Sequence, residues 1–181
     1  MSVGNKFISS PLRAGAVLAF MSILIFLVTY AFFKQADYFY SSVLSSAFIM
    51  PLLYAIFAVM VAYVQSTKHQ ELSLLQSFGW PFLTLCTGGI LSLAAIFLFF
   101  NFIDPQAENL LKKGIFSYWF ERNKAEMVQT YGLQAYKQRV KAIDRNTLFN
   151  IWSFFLYVIF CFFYYFVLSL LIGLFFRKHS T

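Results

Sequence analysis

Four stretches of the chain, 14–33, 38–65, 72–103 and 146–176, are dominated by apolar residues and contain no Lys, Arg, Asp or Glu. At 1.5 Å of rise per helical residue, each is long enough to cross a hydrocarbon core of about 30 Å. Membrane-spanning strands need short segments of alternating polarity, whereas Phe97-Leu98-Phe99-Phe100 and Phe162-Phe163-Tyr164-Tyr165-Phe166 are apolar or aromatic on successive residues. The pattern predicts an all-α integral membrane protein with four transmembrane helices, forming a single membrane domain over 1–181.

Helix signals set the expected boundaries at about 11–33, 43–64, 80–103 and 148–176. Pro51 falls within the second helix, where a kink is expected. The third is placed from Trp80-Pro81, since proline costs no intrahelical bond in a first turn and tryptophan suits the membrane interface. Arg177-Lys178-His179 marks the end of the fourth. Lys6 and Arg13 ahead of an apolar run would also suit a secretory leader. That run exceeds a leader's core and has no clear small-x-small cleavage site, so it is assigned to the first helix.

Between the third and fourth spans lies a polar segment, about 105–146, that reads as amphipathic helix. Asp104-Pro105 supplies a capping carboxylate and a first-turn proline, and Gly114 and Gly132 punctuate the segment. After Gly132, Leu133, Tyr136, Val140 and Ile143 recur at intervals of three and four, while Lys137, Arg139, Lys141 and Arg145 take other faces. That is the pattern of a helix lying on a membrane surface, and it is expected to run into the fourth span. Trp119 and Tyr136 with Lys137, Arg139, Lys141 and Arg145 are therefore the candidate contacts to anionic headgroups or to a partner protein, although a solvated face with interfacial anchors has the same composition.

Composition agrees with the spans: 60% of residues are hydrophobic, 12% are charged and the mean hydropathy is +0.69, outside the range of soluble domains. The net charge of +7 does not point to nucleic acid, because the basic residues of the polar segment alternate with acids. Four spans place both termini on one side, with Lys6, Arg13, Lys68, Arg177 and Lys178 there and Lys34 opposite. By that bias the termini are cytoplasmic, while the eight Lys and Arg of 104–147 argue the other way.

No Asp, Glu, His, Lys or Arg falls inside the four apolar stretches, where ion-coupled transporters usually carry one, and no P-loop, dinucleotide fingerprint or GxSxG motif is present. Cys86 and Cys161 are single residues in apolar surroundings, and His69 and His179 are isolated, so neither metal nor cofactor is expected. Asp104 and Glu108, one turn apart, are more simply a cap and a dipole-favoured glutamate than an acid–base pair. Small residues four apart, Gly15 and Ala19, Ala58 and Ala62, and Gly88 and Ser92, form the expected helix-packing seams.

The order of features resembles that of the Bacteroidota membrane proteins grouped as domain of unknown function 4199. The shared features are four spans, a short polar turn over Ser66 to Phe78, and a third helix closing on Asn101-Phe102-Ile103-Asp104-Pro105 with Glu108 one turn later. An amphipathic segment and a last helix ending Phe175-Phe176-Arg177-Lys178 complete the set. The aromatic fourth helix departs from that pattern. The resemblance implies a bacterial inner-membrane protein and supplies no catalytic or binding residue. The expected role is a non-enzymatic accessory or scaffold subunit holding partner proteins in an envelope complex. The alternative is a binder or carrier of lipid or lipid-linked substrate.

Overall fold

The computed structural model describes residues 10–33, 36–69, 72–145 and 147–177, with only the backbone given for 36–38. Lys6, Lys34, Glu71, Lys178 and His179 lie outside the described residues. The chain folds as α1 (Pro11–Phe32), α2 (Ala36–Lys68), α3 (Leu74–Leu98), a π-helical turn (Phe99–Ile103), α4 (Gln106–Ile115), a second π-helical turn (Phe116–Glu121), α5 (Lys124–Arg145) and α6 (Ile151–Phe176). Four helical stretches, Pro11–Phe32, Phe39–Lys68, Leu74–Ile103 and Ile151–Phe176, are long and apolar enough to cross a membrane. The protein is thus an all-α membrane protein with four spans and a helical segment between the third and fourth.

Local chemistry moves several boundaries from where the apolar pattern puts them. α3 begins at Leu74, well ahead of Trp80-Pro81, because Ser73 and Gln76 form a reciprocal capping box in which each side chain accepts the other residue's backbone N–H at 3.3 Å. Pro81 consequently sits inside the helix. α2 extends past its apolar stretch at both ends and contains Pro51. The polar segment does not run into the last span. α5 stops at Arg145, and α6 starts afresh where the Asn150 side chain accepts the Ser153 N–H at 2.8 Å. Nor is α5 one straight helix, since Gly132 has φ 82° and ψ 157°, a conformation open to glycine and rare for other residues.

α3 is the central helix: 39% of its most apolar window is buried, against 22% for each of the other three spans. It packs most extensively on α1 and α6, less on α2, whereas α2 and α6 touch only sparsely. The α1–α3 contact depends on missing side chains. A Cβ at Gly15 would lie 2.6 Å from Thr87 Cβ and 2.8 Å from the Thr84 carbonyl oxygen, and one at Gly88 would lie 2.8 Å from Leu18 Cδ2. Backbones meet here because nothing stands between them. Thr84 adds a hydrogen bond across the seam, donating to the Pro11 carbonyl at 3.2 Å.

Two hydrophobic clusters occupy opposite halves of the bundle. Leu18, Ala58, Ala62, Leu85 and Ile172 belong to the one nearer Pro11 and Phe176, while Phe39, Phe99, Phe100, Ala107 and Leu111 form the one where the polar segment joins. Gly15→Ala is expected to overpack the α1–α3 seam and destabilise the protein by about 1–3 kcal/mol. Gly79→Ala, whose added methyl meets nothing within 4 Å, should be neutral or stabilising by up to about 1 kcal/mol. Thermal unfolding of both variants in one detergent tests the contrast.

Candidate functional site

Where α3 leaves the bundle, two carboxylates organise the junction with the polar segment. The backbone widens into the π-helical turn, with the Asp104 N–H reaching back to the Phe99 carbonyl at 2.9 Å. Asp104 Oδ1 then accepts the Gln106 N–H at 3.0 Å, capping α4, while its Oδ2 accepts the Tyr30 hydroxyl from the end of α1. One turn later, Glu108 Oε1 accepts the Leu148 N–H at 2.8 Å and pairs with Lys112 Nζ at 3.0 Å. Asn101 donates to the Phe149 carbonyl at 3.0 Å, and Phe149 stacks on Phe100 with centroids 3.9 Å apart. The turn before α6 is thereby clamped to the exit of α3. Asp104 and Glu108 are both engaged by structural partners, which suits a cap and a brace better than an acid–base pair.

Beyond the junction, α4, the second π-helical turn and α5 build a polar lobe with its own apolar interior. α4 lies on the start of α2 through Phe39, Ala107 and Leu111. Trp119 Nε1 donates to the Tyr40 hydroxyl, so this ring, although half exposed, is fastened to α2. Tyr136 is only 8% exposed and packs on Phe120 with centroids 6.3 Å apart. This removes it from the surface contacts: the Tyr136 ring turns inward onto the π-helical turn, while Leu133 on the same face stays exposed. Arg139 stacks over the Tyr131 ring at 4.3 Å. Lys137, Lys141 and Arg145 remain exposed at four-residue spacing.

The lobe contains two open clefts of about 460 Å³ each. One lies beside Trp119, Glu126, Met127, Tyr131 and Arg139. The other separates α4 from α5, where Lys112, Lys113 and Lys141 share the walls with Phe116, Val140 and Asp144. Lys112 and Lys113 were not among the candidates drawn from the sequence. Their signal was present in the Glu108–Lys112 spacing, which fixes the orientation of α4, but which helix would face them was not.

The small-residue candidates are all in the bundle interior. Ala19, Ala58 and Ala62 are buried with Gly15, Gly88 and Ser92, and Gly15 and Gly88 belong to a contact between α1 and α3 of the same chain. Among the described residues, no three His, Cys, Asp or Glu side chains gather where a metal ion would be held.

The family model described as protein of unknown function, DUF4199, matches residues 13–178, which takes in the junction and all of the four spans but Pro11 and Leu12. The chain belongs to that family. Comparison with curated proteins and with solved structures gives no match. The family carries no assigned chemistry, so function is argued from the geometry.

Glu108→Ala should leave the Leu148 N–H and the Lys112 ammonium without their partner. A loss of about 2–3 kcal/mol in stability is expected, with faster amide exchange at Leu148 than at α3 positions. Hydrogen exchange followed by mass spectrometry reads both.

Proposed function

We propose that the protein is a lipid-engaging accessory protein of the bacterial inner membrane, with the four-helix bundle as anchor and the polar lobe as a contact for anionic headgroups. The observation that carries this reading is the cleft between α4 and α5. Lys113 and Lys141 line it against one carboxylate, Asp144, beside Lys112, whose ammonium is paired with Glu108, with Phe116, Val140 and Ile143 as apolar wall. Cationic heads above apolar surface complement an acidic lipid at the interface, where each nearby lysine contributes about 1 kcal/mol. Trp119 and Tyr136 serve this reading as the lobe's internal fastenings, since one is bonded to Tyr40 and the other is buried.

A scaffold role toward partner proteins is the second reading, favoured by the exposed aromatic face of α6, where Trp152, Phe155, Phe160, Phe163 and Phe175 all point away from the bundle. Purification in mild detergent with mass spectrometry of what accompanies the protein separates the two. A stoichiometric protein supports the scaffold, and a lone chain carrying acidic phospholipid supports headgroup binding. In the headgroup reading, Lys113→Gln combined with Lys141→Gln should weaken co-flotation with anionic liposomes by roughly thirty-fold at low salt. Lys137→Gln combined with Arg145→Gln, outside the cleft, should cost less. Equal losses from the two pairs would reduce the cleft to general surface charge.

The same proposal places both termini in the cytoplasm, supported by Arg13, Lys68 and Arg177 at the end of the bundle opposite the lobe. A Lys141→Cys variant lacking Cys86 and Cys161 is then expected to react with a membrane-impermeant maleimide in intact spheroplasts. Labelling only after lysis would reverse the orientation.

A further inference from the structure

A separate cavity of about 360 Å³, open to the outer surface of the membrane-spanning bundle, lies between α2, α3 and α6, with Ser22 of α1 also lining it. Its walls differ sharply in exposure. Ala47 on α2 and Phe160 on α6 are exposed, whereas Ser22, Tyr54 and Ser92 are 3%, 6% and 5% exposed. The cavity therefore opens sideways between α2 and α6, the sparsely packed pair, and ends on hydroxyl groups. Mostly apolar walls with a few convergent polar atoms are the usual form of a small-molecule site, and the volume is at the lower end of the usual range.

Four of the five hydroxyls that line the cavity, those of Ser22, Tyr54, Ser92 and Tyr164, have their protons committed within the chain. Ser22 donates to the Leu18 carbonyl at 2.9 Å, with a longer 3.4 Å contact to the Tyr54 hydroxyl, and Ser92 donates to the Gly89 carbonyl at 3.1 Å, which leaves Tyr54 to donate to Ser92 across their 2.9 Å contact. Tyr164 donates to the Pro51 carbonyl at 3.3 Å. What these oxygens still offer is lone pairs, so the complementary ligand atom is a hydrogen-bond donor. Tyr54 is held in place by Tyr165, whose ring stacks on it at 5.6 Å and 7°. Tyr165 in turn rests directly on Gly89, where any Cβ would collide with its hydroxyl. Among the described residues, no Lys, Arg or His lines the cavity, so a phosphate or carboxylate entering it would be buried without a counter-charge.

We infer that this cavity binds a neutral, membrane-soluble alcohol, with its hydroxyl donating to the Ser22–Tyr54 pair and its apolar chain leaving between Ala47 and Phe160. A straight-chain alcohol and a polyprenyl alcohol share that chemistry. An ester or ketone lacks the donor, and a hydrocarbon lacks any polar contact.

The test uses the full chain in nanodiscs of phosphatidylcholine alone, so that the outcome is independent of the anionic-lipid cleft. Photoactivatable hexadecanol is compared with the corresponding methyl ester and hydrocarbon, and labelled peptides are mapped by mass spectrometry. Labelling by the alcohol should fall on Met50, Pro51, Tyr54, Cys161 and Tyr165, at several-fold higher yield than by either comparator. Tyr54→Phe, which keeps the ring stacked on Tyr165, should lower the alcohol's yield about fivefold without changing the hydrocarbon's. Ala47→Trp, at the exposed mouth, should abolish labelling while the protein remains monodisperse with an unchanged unfolding temperature. Competition by unlabelled farnesol against unlabelled hexadecanol distinguishes a prenyl from a straight-chain ligand. Equal labelling by all three probes, or labelling confined to outward-facing Phe48 and Leu52, would overturn the assignment.

Discussion

The two carboxylates at the start of α4 hold together chain segments that are otherwise far apart in sequence. Asp104 joins the end of α1 to the first turn of α4 through Tyr30 and Gln106, and Glu108 joins α4 to the turn before α6 through Leu148. Hydrogen bonds to charged acceptors contribute about 1.5–3 kcal/mol each, more than neutral ones, and they strengthen where water is scarce. Without them the free N–H groups at the start of α4 and at Leu148 would compete for water beside an apolar cluster of Phe26, Tyr30, Phe39, Phe99 and Phe100. The lobe is therefore aimed by the same residues that close the bundle.

Within the bundle, packing is uneven, and the unevenness has a chemical origin. α1 and α3 approach through Gly15 and Gly88, and that seam admits no further atoms. α2 and α6 meet with larger residues, among them Met50, Pro51, Phe160 and Tyr164, which cannot interdigitate as closely and leave a space between them. The space between them is open to the bilayer side and ends on the hydroxyls of Ser22, Tyr54 and Ser92. The tight half fixes the position of Ser22 and Ser92, and the loose half gives access from the bilayer.

The four spans were legible because a charge inside hydrocarbon is so costly that its absence marks the membrane directly. The start of α3 was equally legible in Ser73 and Gln76, but the stronger interfacial signal of Trp80-Pro81 masked it. Gly132 announced a break without giving its geometry. Tyr136 shows the limit: its spacing with Leu133, Val140 and Ile143 defines an apolar face, yet that its own ring is covered by protein depends on where Phe120 arrives. Lys112 and Lys113 join Lys141 only because α4 and α5 fold back on each other, a tertiary fact with no local pattern. The hydroxyls of Ser22, Tyr54 and Ser92 sit on three helices, and nothing in their sequence neighbourhoods reveals that they meet.

The cleft and the cavity differ in depth as well as in charge, and this bears on whether one molecule could serve both. Ser22 lies near the middle of α1, and Tyr54 is fifteen residues along α2 from Phe39, roughly 22 Å of helix. Phe39 itself packs on Ala107 and Leu111 at the base of the lobe. A phospholipid whose phosphate rests between Lys113 and Lys141 keeps its glycerol and ester groups near the interface. Only its acyl chains reach the depth of Tyr54, and they carry no hydrogen-bond donor. A molecule that satisfies the hydroxyls must instead bring a polar head into the bilayer's centre, which neutrality permits and a phosphate forbids. The two sites thus require chemically distinct occupants, and a chain with both would bring an acidic lipid at the surface and a neutral alcohol at mid-membrane onto one scaffold.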